Sequence, residues 1–181
     1  MKAIRATRTS GRSLSFLPDL AGASRAARAD LGVLYRLALP TDPGGRSGHA
    51  VLRFRAPFEI DGAEPVDAPE ALAVGRRFTV RVVAEKRRED DEGRSRSRFV
   101  LDEEADAWAR DLLARRGIGA DDLVVSERWR VGPPGGRAFW LRDLTATVGA
   151  IAEDCEAYTR GIGRGKTFEY GMPTTRSESV V

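Results

Sequence analysis

The sequence predicts an α+β fold built from two successive units of the same kind. Three observations lead there. Short β-type runs twice surround a stretch with helical spacing. Gly- and Pro-rich turns join neighbouring runs as hairpin partners. A hydrophilic charge run, Lys86 to Arg98, lies between the two cycles.

Lys2 to Thr7 is the first expected strand, and Asp19 to Leu31 is a helix by the spacing of Leu20, Ala23, Ala27 and Leu31. VLYRLAL at Val33 to Leu39 and AVLRFRA at Ala50 to Ala56 pair around the turn Thr41 to Gly48. Pro57 to Gly75 has three prolines and many acids and is expected to be mostly loop, before the strand Phe78 to Ala84. In the second cycle, Phe99 to Leu101 is a short strand and Asp102 to Arg116 a helix with Ala105, Trp108, Ala109, Leu112 and Leu113 on one face. Asp102 is its expected N-cap and Gly117 its stop. Leu123 to Val131 and Arg137 to Val148 are strands, Gly149 to Arg160 a helix, and Met172 onward a short last strand at most. This order describes two tandem ferredoxin-like (RRM-like, βαββαβ) halves with a C-terminal glycine-rich loop. The expected domains are residues 1–90 and 91–181, with the junction in the charge run.

Hydrophobic residues make up 41% and charged residues 31% of the 181, which fits a globular chain and excludes a disordered one. No apolar run approaches the roughly 20 residues a membrane helix needs, and the N-terminus lacks a signal-peptide core. The single Cys155 excludes an internal disulfide, so a cytoplasmic location is expected. One Cys and one His cannot build a zinc site, and neither metal nor cofactor is expected. Of the 30 basic residues only Lys2, Lys86 and Lys166 are lysines. The arginine excess suits phosphate and base contacts, although a coding bias produces the same composition.

The most informative segment is Arg160-Gly161-Ile162-Gly163-Arg164-Gly165-Lys166-Thr167. It approaches a phosphate-binding P-loop, but Arg160 stands where that motif needs glycine, and only 14 residues follow Thr167. No βαβ unit fits there, which argues against a nucleotide-binding enzyme. The segment still has the character of an anion site: glycines expose amides, Arg160, Arg164 and Lys166 add charge, and Phe168 and Tyr170 offer rings for base stacking. Three alternating sets add to this: Arg94, Arg96 and Arg98 among serines, Arg53 and Arg55 around Phe54, and Arg128 and Arg130 around Trp129. Period-two spacing puts each set on one face of an extended segment and suits a nucleic-acid backbone. A solvated sheet face accounts for any one stripe equally well.

Taken in order, VLYRLAL, FTVRVVAEKRR, DEEADAWARDLLARRG and GIGRGKTFEYG resemble the CRISPR repeat-RNA processing endoribonucleases of the type I-E Cascade (CasE) family. The resemblance runs from Val33 to Met172, and Gly161, Gly163, Lys166 and Gly171 match the family's glycine-loop signature. It implies binding of a CRISPR repeat RNA hairpin (crRNA), metal-independent cleavage at the base of the stem, and retention of the product with other Cascade-type effector subunits. Glu169 and Pro173 depart from the signature.

The larger departure concerns catalysis. Metal-free RNA cleavage needs proton transfer at the 2′-hydroxyl and the leaving oxygen, and charge stabilisation at phosphorus. The resemblance implies a tyrosine and a histidine on the first helix, but Leu14 to Leu31 contains neither. The only histidine, His49, is the candidate proton carrier, and Arg25 and Arg28 are the candidates for transition-state stabilisation. The alternative is a catalytically silent crRNA-binding subunit of the effector complex.

Overall fold

The computed structural model describes residues 3–6, 9–10, 34–38, 49–56, 63–66, 69, 71–89, 92–93, 95–132, 138–166 and 170–175. Its described elements form an α+β fold of antiparallel strands. β1 (Ala3–Ala6), β2 (Thr9–Ser10), β3 (Leu34–Ala38), β4 (His49–Arg55) and β5 (Ala63–Val66) make one sheet. Their order across it is β5–β1–β4–β3, with β2 also paired to β4. A second sheet contains β6 (Arg77–Val83), β9 (Ile118–Val125), β10 (Trp129–Val131), β11 (Phe139–Ile151) and β12 (Thr174–Thr175). Here the order is β12–β6–β11–β9, with β10 on the same edge of β11 as β9. Between β6 and β9 come the hairpin strands β7 (Glu85–Glu89) and β8 (Ser95–Phe99) and helix α1 (Ala105–Ala114). The short helix α2 (Ala157–Arg160) precedes the glycine loop.

The core of the second sheet follows from side-chain period. Phe78, Val80 and Val82 of β6 and Leu144, Ala146 and Val148 of β11 alternate onto one face. Ala105, Trp108, Ala109 and Leu113 lie three and four residues apart on α1 and close over them. Each large side chain so buried contributes roughly 1.5–3 kcal/mol.

Several expectations are corrected. β6, expected as the last strand of the first half, is hydrogen-bonded between β11 and β12. The change of sheet therefore falls between Val66 and Arg77. The Pro57 to Gly75 stretch, expected as loop, supplies β5, which among the described residues is an edge strand paired only with β1, a place where Pro65 is tolerated. The expected helix Gly149 to Arg160 shrinks to four residues, because β11 continues to Ile151 and pairs there with Ile118. Asp102 does not cap α1. Glu104 takes the N-cap position without a side-chain capping bond, and the Asp102 carboxylate accepts from Arg142 instead. Gly117 ends the helix as expected, at φ 75°. The expected first helix, with Arg25 and Arg28, lies outside the described residues.

Candidate nucleic-acid interface

The glycine loop is held to the second sheet by its backbone and by two buried side chains. The Gly161 amide caps α2 through Ala157 O (2.9 Å), the Ile162 amide reaches Gly171 O (2.8 Å), and the Gly171 amide reaches Arg81 O on β6 (2.7 Å). Positive φ at Gly161 (75°) and Gly171 (88°) makes these turns, and φ is positive at Gly163 and Gly165 too. Ile162 is fully buried in the main core, which explains the apolar residue between two glycines. Tyr170, expected to stack on bases, is instead buried against Val83, Leu141 and Phe139, with a ring-to-ring distance of 5.8 Å to Phe139. Its ring is core because Gly171 ties the chain to β6 directly beside it. Phe168 lies outside the described residues.

With Ile162 and Tyr170 turned inward, the charged positions fall between them. Lys166 is half-buried, and burial, then the neighbouring Arg116 and Arg160 guanidiniums, hold its pKa below the ordinary lysine value. Such a site gains from an anion, which restores solvation to the ammonium and relieves the repulsion. Arg160 is exposed and forms a 2.8 Å ion pair with Glu156. Arg164 reaches a different element. Its guanidinium donates to Glu85 O (3.0 Å) and lies 3.4 Å from the Glu85 carboxylate, so it joins the loop to the foot of the β7–β8 hairpin. Gly163 faces Val82 and Leu112, which places the loop against the last turns of α1 and near Arg116.

The hairpin carries the second basic group. Its register sets Lys86 opposite Arg98 and Arg88 opposite Arg96. Like charges directly across a ladder are destabilising unless an anion separates them. At the base one does: Glu104 accepts from Lys86 Nζ (2.6 Å), Arg98 Nη1 (2.6 Å) and the Leu101 amide (3.0 Å). The Arg98 and Lys86 hydrogen bonds hold the Glu104 carboxyl at about 2, well below its usual range. Glu85 supports the same foot by accepting from Ser97 (2.8 Å) and the Trp140 amide (3.2 Å). Arg94 lies outside the described residues.

The structure thus brings Gly161, Gly163, Arg164, Gly165 and Lys166 to the foot of the hairpin that carries Arg96 and Arg98. It does not bring every expected residue there. His49 starts β4 and pairs with Ser10 in the first sheet. Arg55, expected on an open stripe, is fully buried. Arg128 stacks over Phe99 (4.6 Å) and faces Asp102 (3.4 Å), while Trp129 packs with Val83 and Leu141 beneath Arg81. Arg116, Lys86 and Arg88 were missed. Strand register for the lysine and its neighbour is the only sequence signal that points to them, and Arg116 has none. Among the described residues no three His, Cys, Asp or Glu side chains group as metal ligands, and no helix is long and apolar enough to cross a membrane.

No protein-family model matches the chain, and no curated protein sequence matches it. Solved structures do. The chain is similar to a CRISPR endoribonuclease Cse3 bound to 19-nt RNA, with 18% identity, a TM-score of 0.63, and coverage of 97% of this chain and 99% of that one. It is also similar to Thermus thermophilus Cse3 bound to an RNA representing a pre-cleavage complex, with 15% identity, a TM-score of 0.58 and coverage of 97% and 99%. A third is the CRISPR-associated protein Cas6e from Escherichia coli str. K-12, with 17% identity, a TM-score of 0.56 and coverage of 96% and 97%. At these identities the likeness is one of architecture, over nearly the whole of both chains: this chain has the fold of the Cse3 and Cas6e CRISPR endoribonucleases.

Proposed function

We propose that the protein is a divergent CasE-type subunit that binds a CRISPR repeat RNA hairpin, cleaves it without metal, and retains the product in a Cascade-like effector complex in the cytoplasm. One observation carries this reading. The glycine loop, with half-buried Lys166 between Arg116 and Arg160, is joined through Arg164 and Glu85 to a hairpin whose basic residues oppose one another. That is an arrangement a polyanion stabilises, and it sits on a fold whose solved examples include RNA-bound endoribonucleases. The strand orders β5–β1–β4–β3 and β12–β6–β11–β9 are the same order in two sheets, which supports two tandem ferredoxin-like halves that divide between β5 and β6.

A second reading is a silent crRNA-binding subunit of the same complex, favoured by the lack of Tyr and His from Leu14 to Leu31. In the active reading His49 moves the proton and Arg25 or Arg28 steadies the phosphorane. A labelled repeat hairpin in EDTA, incubated with wild type, His49→Ala and Arg28→Ala, separates the two. The active reading expects slow cleavage with a 2′,3′-cyclic phosphate product, weakened by His49→Ala by about 10²-fold or more. Tight, salt-sensitive binding without cleavage moves the answer to the silent subunit. Binding that ignores salt, or cleavage that EDTA abolishes, refutes the proposal.

A further inference from the structure

Arg55 is the largest fully buried side chain among the described residues, and its surroundings are unusual for a strand residue. It is the last residue of β4 and pairs in register with Leu34 of β3. Its guanidinium leaves its own sheet and spans the two ends of the glycine loop. Nη1 donates to Tyr158 O in α2, before the loop (2.7 Å), and Nη2 donates to Pro173 O, after it (3.1 Å). Its Cζ lies 3.4 Å from the centre of the Tyr158 ring. Leu34 presses on the same place, since a Cβ built on Gly161 stands 2.9 Å from its Cδ2. Arg36, two residues along β3, donates to Thr174 Oγ1 (3.2 Å).

We propose that Arg55 is the positioning residue of the glycine loop: one guanidinium holds the loop's entry and exit against the first sheet and so sets where Lys166 stands. Both Nη atoms of this buried cation donate, and the planar fork aims them at two carbonyls in fixed directions. The Ile162 and Gly171 amide bonds close the loop above this clamp. The first sheet thereby governs a binding element that belongs to the second, without touching RNA. The RNA-binding part of the proposal rests on the function proposed above.

Arg55→Lys keeps the charge and reaches one carbonyl, and Arg55→Met removes both donors at similar volume. Amide hydrogen exchange reads the clamp without RNA. In Arg55→Lys, the Ile162, Tyr170 and Gly171 amides are expected to exchange about tenfold or more faster, while the β11 amides paired to β6 keep their protection. Affinity for the repeat hairpin falls about tenfold, and this loss disappears in a Lys166→Ala background, because both changes remove the same contact. Unchanged loop exchange overturns the proposal, as does an equal loss of protection everywhere or failure of both variants to fold, which would make Arg55 a general staple. Full additivity with Lys166→Ala also overturns it. If wild type does not bind the hairpin, the functional reading fails and loop exchange alone decides the role of Arg55.

Discussion

Gly161 and Gly163 differ by two positions and have nearly the same φ, 75° and 78°, yet alanine is expected to act very differently at each. A left-handed conformation costs a residue with a Cβ roughly 1–2 kcal/mol. Alanine returns about 0.4–1 kcal/mol of that by restricting the unfolded chain. Backbone strain is therefore worth about 1 kcal/mol at Gly163 and at least that at Gly161, whose ψ of 170° puts it in a region essentially restricted to glycine. The space around them differs. A Cβ on Gly163 meets Val82 Cγ1 at 3.7 Å and Leu112 Cδ2 at 4.0 Å, ordinary apolar contact. A Cβ on Gly161 meets Gly171 O at 2.8 Å and Leu34 Cδ2 at 2.9 Å. Relieving that overlap costs about 1–3 kcal/mol and disturbs the 2.8 Å bond from Ile162 to Gly171, worth about 1 kcal/mol more. Gly163→Ala should therefore lose about 1 kcal/mol and Gly161→Ala about 3–5 kcal/mol. Urea unfolding followed by tryptophan fluorescence measures both, since Trp108 lies in the same main core as Ile162. Equal losses, or a larger loss at Gly163, would refute the idea that the signature glycines differ by local space.

Two further outcomes follow from the ion pairs. Glu104 has its carboxyl lowered to about 2 from 4.5, so its stabilising contribution is fully present above 4.5 and is lost as pH falls toward 2. Glu104→Gln should accordingly be less stable than wild type at neutral pH, with the gap in Tm closing across that window; a gap independent of pH would contradict the hub. Lys166→Ala should weaken hairpin binding by roughly 1–3 kcal/mol with Tm unchanged, the scale of a charge-assisted hydrogen bond. Arg164→Ala should instead loosen the foot of the β7–β8 hairpin, seen as faster exchange of its amides, because its partner is Glu85. Equal effects of both on RNA affinity alone would show that Arg164 faces the ligand.

By itself the sequence determined the α+β class, the face of α1, its stop at Gly117, the hairpin between β3 and β4, and the glycine loop as a basic element. These are local quantities: side-chain period, turn residues and the conformational freedom of glycine set them within a few positions. What needed tertiary structure was which sheet each strand joins and which charges remain outward. β6 has the same composition whichever half it serves, and only its pairing with β11 and β12 places it. Arg55 and Arg53 look alike as alternating arginines, but the fold buries Arg55 under the loop because Tyr158 and Pro173 supply carbonyls there. Tyr170 likewise became core, and Arg164 a tie to Glu85, through partners 87 or fewer residues distant in sequence yet adjacent in space. Period and composition carry no information on such meetings, since the energy that decides them arises only when distant segments exclude water together.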